Sequence, residues 1–165
     1  MRGAAARWQI LGNQVAMGEL DNDPGPGRRL STDAWDGYVG SRDRVTRAWM
    51  DAGVRNPVVL TGDVHKHWAA DIRTDYADPD SPVVGTELVA SSITSGGNGN
   101  AAWSDPIMAW NPHLRFSADQ RGYVRTLVTK DSLRELATPG LLAALTGPDG
   151  QKPRLVHRLD KDTDR

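Results

Sequence analysis

The periods of the hydrophobic and polar positions change along the chain, and the change predicts a mixture of α and β structure. A helix is predicted with Ser41 as its N-cap and Gly53 just past its end. Its apolar positions recur at helical spacing, namely Val45, Ala48, Trp49 and Ala52. Residues 68–73 instead alternate with a period of two, which predicts a strand.

Further apolar and β-branched runs predict the remaining strands, which are 8–15, 57–62, 83–94 and 123–129. Loops are predicted at 20–30, 75–82 and 95–100, a short helix after Asp105-Pro106, and a last helix over 141–145 capped by Thr138-Pro139. The order of strand, helix and then several strands predicts a layered α/β or α+β sheet rather than a helical bundle.

Composition narrows the class of protein. The 165 residues suit one domain or a piece of a larger one, and only 38% are hydrophobic, which predicts a thin core. A formal net charge of −1 predicts no general attraction to nucleic acid or membrane. The absence of cysteine excludes disulfides and thiolate metal ligands. Residues 1–8 carry charge but no apolar stretch, so no signal peptide is predicted, and no run could cross a bilayer.

The most informative segment is 58–65, where a β-branched strand stops at a glycine and is followed by Asp63 and His65. Positions two apart in an extended segment project to the same side, so both side chains are expected at one rim of a sheet. A carboxylate suits a hard cation and an imidazole suits iron or zinc. His67 extends the pattern and is expected near substrate or at the mouth of the site. Alternatively, Asp63 caps a turn and His65 is a hydrogen-bonded histidine.

Two ligands do not complete a catalytic metal site, and the other candidates have simpler interpretations. His113 is expected to be a hydrogen-bonded loop histidine and His157 a solvated one. Asp36 is expected to fix a corner as a hydrogen-bond acceptor. Glu87 lies in an apolar run and must be either paired or at an exposed edge.

Five blocks of sequence, in order, resemble the C-terminal part of the PhoD-like alkaline phosphatase (alkaline phosphatase D) family. The blocks are WQILGNQV (8–15), DAWDGYVGSRDRV (33–45), NPVVLTGDVHKHWAADI (56–72), VGTELVASSITSGG (84–97) and NPHLRFSADQRGYV (111–124). The resemblance implies part of a metallophosphoesterase fold, with mixed β-sheets flanked by helices. It also implies a hydrolase that cleaves phosphate monoesters and diesters at alkaline pH with ferric iron and calcium. By this match His65 would bind iron and Asp63 a neighbouring calcium ion.

The sequence also departs from the family. Its N-terminal metal-binding blocks and its export signal have no counterpart here, so the localisation that the family implies (periplasm, cell wall or secreted) is not predicted for this chain. Residues 1–134 are expected to be the phosphatase segment, and 135–165 a divergent, partly disordered tail that a shifted reading frame would produce.

These departures leave three hypotheses. The first is a segment of a phosphatase that is inactive alone. The second is a non-catalytic fragment, or a module that complements a separate N-terminal half. The third, ranked lowest, is an unrelated zinc hydrolase built on Asp63, His65 and His67.

Overall fold

The computed structural model describes residues 6, 8–95, 106–119, 121–129, 132–139 and 154–160. It contains one α-helix, α1 (Val39–Asp51), and short 3-10 helices at Trp35–Tyr38 and Pro106–Ala109 within these residues. The strands are β1 (Gln9–Gly12), β2 (Pro57–Thr61), β3 (His67–Arg73), β4 (Val83–Val89), β5 (Leu114–Ala118), β6 (Gly122–Val128), β7 (Ser132–Pro139) and β8 (Arg154–Asp160).

A five-stranded mixed sheet forms the centre, in the order β1-β2-β4-β3-β5. Strands β1, β2 and β4 run parallel, with Val58 of β2 opposite Ile10 of β1 and Thr86 of β4. Strand β3 is antiparallel to both β4 and β5. The carboxyl ends of the three parallel strands therefore meet at one rim, which is where sheets of this kind bind ligands.

Helix α1 begins two residues before its predicted N-cap. Ser41 lies inside the helix and accepts a hydrogen bond from Arg44 at 2.8 Å, while Tyr38 occupies the N-cap position without a side-chain cap. The predicted end is confirmed. Gly53 has φ +59°, and the amides of Gly53 and Val54 donate to the carbonyls of Met50 and Trp49. This is a Schellman motif, in which a glycine is favoured because φ is positive.

Both faces of the central sheet are covered. On one face Trp49 of α1 packs with Met17, Val59 and Ile72. On the other face Val58, Ala69 and Leu88 pack against Leu133 of β7. Neighbouring residues of one strand point to opposite faces, so Val58 and Val59 serve different cores. The described chain is thus layered as helix, central sheet and outer sheet.

The outer sheet is three-stranded and antiparallel, in the order β6-β7-β8. Two local predictions were wrong here. Thr138 and Pro139 end strand β7 instead of capping a helix, and residues 154–160, expected to fray, pair with β7 as β8. The helix predicted at 141–145 lies outside the described residues. The division of the chain after residue 134 remains a prediction.

The other strand predictions are largely confirmed, with shorter ends. The predicted strand 8–15 is reduced to the edge strand β1, which is half-buried rather than buried, and 83–94 is reduced to β4. The expected α/β class with mixed sheets is confirmed, although the outer sheet is purely antiparallel. No helix in the described part of the chain is sufficiently long and apolar to span a membrane.

Candidate metal site at the rim of the central sheet

The segment between β2 and β3 forms a tight turn at the rim. Asp63 has φ +73°, and the Val64 amide donates to the Gly62 carbonyl at 2.9 Å, so Gly62–Val64 is a γ-turn centred on Asp63. His65 also has a positive φ, +58°. The expectation of an extended segment was therefore wrong: β2 stops at Thr61 and β3 starts at His67.

The turn nevertheless presents Asp63 and His65 at the same rim. Val64 lies between them and packs onto the apolar cluster that includes Trp68 and Val89. Asp63 and His65 are both exposed. Left-handed conformations are strained for residues other than glycine and are often retained where a site needs them. Positive φ at two ligand-type residues, Asp63 and His65, is a structural feature that the sequence pattern did not predict.

His67 is buried, at 3% exposure, rather than lying at an open mouth. Its Nδ1 accepts a hydrogen bond from the Ser91 amide at 3.2 Å. Burial lowers the pKa of His67 to about 4, so the ring is neutral near pH 7 and carries its proton on Nε2. That Nε2 has no hydrogen-bond partner among the described residues. Its proximity to a substrate remains a prediction.

The sequence predicted that Glu87 of β4 is either paired or at an exposed edge. In the structure it is buried and hydrogen-bonded. Its two carboxylate oxygens accept from the amides of Met17 at 2.7 Å and Gly18 at 2.8 Å. The Thr61 hydroxyl donates to it at 3.1 Å. Burial raises the pKa of Glu87, while these donors act in the opposite direction. Glu87 thus links the end of β2 to the loop that follows β1.

Asp36 acts as the expected corner-fixing acceptor. It accepts from the Leu20 amide at 3.0 Å and forms an ion pair with Arg42 at 2.6 Å. The Arg42 guanidinium also pairs with Glu19 at 3.2 Å and lies 5.0 Å from the centre of the Tyr76 ring. Arg42 is only 3% exposed, so its charge depends on these partners. This network therefore supports the loop that follows β1, which contains Glu19 and Leu20.

The loop before β5 also supports the loop that follows β1. Asn111 accepts from the Asp21 amide at 2.9 Å and donates to the carbonyls of Asp21 and Ile107. His113 is the hydrogen-bonded loop histidine that was expected, with its Nε2 2.7 Å from the Glu19 carbonyl. Burial lowers the pKa of His113 to about 4. Neither residue is placed with Asp63 and His65.

The donor set fits part of a metal site. An exposed carboxylate and an exposed imidazole flanking Val64 are suitable ligands for a hard cation and for iron, respectively. No group of three or more potential His, Cys, Asp or Glu ligands occurs within the described ranges. The backbone at His157 lies in β8, and its side chain is outside the described part. A metal site that included Asp63 and His65 would therefore need further ligands from outside these ranges.

Comparison with known proteins identifies the family. A sequence profile described as PhoD-like phosphatase matches residues 1–136. This chain belongs to the PhoD-like phosphatase family. The chain is 41% identical over 128 residues to alkaline phosphatase D of Bacillus subtilis (strain 168), which is 76% of this chain and 22% of that protein.

The PhoD fold is also recognised in three dimensions. A solved structure described as "Structure of PhoD" matches with a TM-score of 0.78 and 33% identity, and the match covers 97% of this chain and 31% of that chain. The chain thus spans less than a third of either PhoD relative. The resemblance found from the five blocks is confirmed, and so is the match to part of a metallophosphoesterase-type fold.

Several supporting residues were missed by the sequence reasoning. Ser91, Arg42 and Asn111 have no motif of their own, since each is an ordinary polar residue in its segment. A buried arginine can be recognised in sequence only by the presence of carboxylates such as Asp36 and Glu19, which are too common to be diagnostic. Several of their partners lie far away in the chain, such as His65 for Ser91, Glu19 for Arg42 and Asp21 for Asn111, and the fold reveals these contacts.

Proposed function

We propose that this chain supplies two ligands, Asp63 and His65, to the metal centre of a PhoD-type phosphoesterase. The supporting observation is the γ-turn, with exposed Asp63 and His65 side chains on either side of the partly buried Val64. Family membership supports hydrolysis of phosphate esters. We propose phosphate monoesters and diesters as the substrate class, as the sequence resemblance implies. Metal ions bound there would act as Lewis acids on a phosphoryl oxygen.

We further propose that His65 contributes to an iron site and Asp63 to a calcium site. A ring nitrogen is a common iron ligand, and a carboxylate oxygen suits calcium. The Nε2–H of His67 has no hydrogen-bond partner in the described chain, so it would donate to a group placed next to the Gly62–Val64 turn. Because its ring is buried, we assign it to positioning next to the substrate site rather than to open contact with solvent.

The remaining part of a PhoD-type domain is the proposed partner. The described residues provide two candidate ligands, and this chain spans 22% of alkaline phosphatase D. The face between β1 and α1 is a second reason: a groove of ≈ 620 Å³ there includes Leu11, Trp35 and Trp49 among its lining residues. Since β1 is the edge strand of the central sheet, another strand can add beside it. The isolated 165 residues are accordingly expected to be inactive.

Reconstitution tests both proposals. The chain would be co-expressed with the part of Bacillus subtilis alkaline phosphatase D that it does not match, and hydrolysis of p-nitrophenyl phosphate would be measured with added Fe³⁺ and Ca²⁺. Activity is expected from the pair and not from either part alone. Asp63→Ala and His65→Ala should each abolish it. The matched control is Asp80→Ala, an exposed carboxylate in the loop between β3 and β4, which should retain activity.

The outcomes separate the hypotheses. Metal-dependent turnover by the isolated chain, above that of the Asp63→Ala/His65→Ala variant, would contradict its expected inactivity. Full activity of the pair in both alanine variants would contradict the metal site. Failure of a folded pair to associate would contradict the complementation and leave this chain as a non-catalytic PhoD segment.

A further inference from the structure

Ser91 holds the segment from His65 to His67. It is the second residue after β4, at the rim where β2 also ends, because the Ala90 amide donates to the Thr61 carbonyl at 3.0 Å. The Ser91 hydroxyl donates to the backbone carbonyl of His65 at 3.1 Å. Its own amide donates to Nδ1 of His67 at 3.2 Å. Ser91, just past β4, therefore contacts both His65 in the β2–β3 connection and His67 at the start of β3.

The contact to His65 matters because of the backbone conformation there. His65 has φ +58°, which an unconstrained histidine seldom adopts. Such a conformation persists where the surrounding structure determines it. The His65 carbonyl belongs to the peptide that follows its Cα, so a hydrogen bond to that oxygen restrains ψ of His65 and the direction in which its side chain leaves the backbone.

The contact to His67 determines which ring nitrogen carries the proton. Because the Ser91 amide is a donor, Nδ1 of His67 must accept, and the neutral ring places its hydrogen on Nε2. Ser91 thus supports the end of the turn at His65 and the first residue of β3 together. In metal sites, residues that orient the ligands commonly change metal affinity by about 10–100-fold when removed.

We propose that Ser91 is a positioning residue that holds His65 in the orientation needed for metal binding. The proposal rests on the proposed function, in which His65 is a metal ligand. The side-chain hydroxyl is the essential group, since the backbone amide of residue 91 remains in any variant. Threonine keeps that hydroxyl and alanine removes it.

The experiment compares Ser91→Ala and Ser91→Thr with Ser92→Ala in the full chain. Ser92 is the matched control, because its hydroxyl donates to the Ser95 carbonyl and accepts from Arg121, away from the turn. The first measurement is NMR hydrogen exchange at the Val64 amide without metal. Exchange is expected to be faster in Ser91→Ala and unchanged in Ser92→Ala.

The second measurement is a Co²⁺ titration of the chain reconstituted with the unmatched part of alkaline phosphatase D, because the described residues supply two candidate ligands. Binding is monitored by the paramagnetic shift of the His65 ring protons. Ser91→Ala is expected to weaken Co²⁺ binding by about tenfold or more. Ser91→Thr should restore binding close to that of the parent chain, and Ser92→Ala should not change it. Tryptophan fluorescence checks that each variant is folded.

The result that overturns the positioning role is Co²⁺ affinity in Ser91→Ala equal to that in Ser92→Ala. A change in Val64 exchange with unchanged Co²⁺ affinity would also overturn it, because Ser91 would then support only the backbone. The Asp63→Ala/His65→Ala variant tests the proposed function separately. If it binds Co²⁺ as the parent does, or if the parent shows no saturable binding, the metal site itself is refuted and the role of Ser91 in it is refuted as well.

Discussion

Replacing Glu87 with alanine is expected to destabilise the chain strongly. Glu87 is 2% exposed and accepts hydrogen bonds from two backbone amides, those of Met17 and Gly18, and from the Thr61 hydroxyl. A buried donor left without a partner costs about 1–3 kcal/mol, so the two amides together account for about 2–6 kcal/mol. Loss of the buried carboxyl's own desolvation penalty offsets part of this.

We therefore expect Glu87→Ala to lower the free energy of unfolding by about 2–4 kcal/mol, out of about 5–15 kcal/mol for a typical domain. Urea unfolding followed by tryptophan fluorescence measures this difference. The control is Asp43→Ala, which removes a surface ion pair with Arg47 and should cost no more than about 1 kcal/mol. Equal unfolding midpoints for Glu87→Ala and Asp43→Ala would refute the argument that Glu87 holds the loop after β1.

The same residue gives a pH dependence with a defined sign. Burial raises the pKa of Glu87 above its ordinary value of 4.5. Between 4.5 and the raised value, the folded chain binds more protons than the unfolded chain, so the contribution of Glu87 to stability decreases as pH rises. Glu87→Gln removes the titration. The stability of the parent relative to Glu87→Gln should thus fall from pH 4.5 upward, and a difference that rises with pH would contradict the direction.

Three further predictions concern local conformation and packing. Gly53→Ala should lower the free energy of unfolding by about 1 kcal/mol because φ at this position is +59°. Gly40→Ala, in the first turn of α1 where nothing lies within contact of an added Cβ, should raise it by up to about 1 kcal/mol. Denaturant unfolding measures both changes, and equal shifts would contradict the Schellman motif. Asn111→Ala leaves the Asp21 amide without its acceptor, whereas the Asp21 carbonyl keeps its hydrogen bond from Trp110, so the variant should cost about 1–3 kcal/mol in the same assay. A loss below that of a surface substitution would argue against this link. Asp63→Gly should relieve the strain of the positive φ at residue 63, so the free energy of unfolding should be unchanged or raised by up to about 1 kcal/mol. The same variant should abolish Co²⁺ binding. A marked loss of stability would show that the turn is not strained.

Local patterns predicted much of the fold. The spacing of Val45 and Trp49, the glycine at 53 and the run ending at Gly62 each reflect interactions within a few residues, and the corresponding elements are present. Strand ends were less accurate because they depend on partners. Strand β4, for example, stops at Val89 where its neighbour β2 also ends, although β-branched residues continue beyond it.

The candidate site was predicted in part. Asp63 and His65 were selected from a short motif and lie at the rim, but the motif was interpreted as an extended segment. The actual γ-turn depends on Val64 packing into a core formed by Trp68, Val89 and Leu114. Such a contact is determined by tertiary structure, and no local pattern encodes it. The burial of His67 was missed for the same reason, since His67 pairs with Ala118 of β5 and accepts a hydrogen bond from Ser91, which are both distant in sequence.

The turn between β2 and β3 has a consequence for how such a site can be inherited or transplanted. Its geometry is closed by a backbone hydrogen bond between Gly62 and Val64, and it is held by the Val64 side chain and by the Ser91 hydroxyl on the His65 carbonyl. A change in α1 or in the outer sheet leaves the spacing of the two ligand-type residues untouched, whereas replacing Val64 with a polar residue would release both together. A graft of 61–67 onto another pair of adjacent strands would carry this spacing with it, provided that the host offers a hydrophobic pocket for Val64 and a hydroxyl donor, in place of Ser91, for the His65 carbonyl.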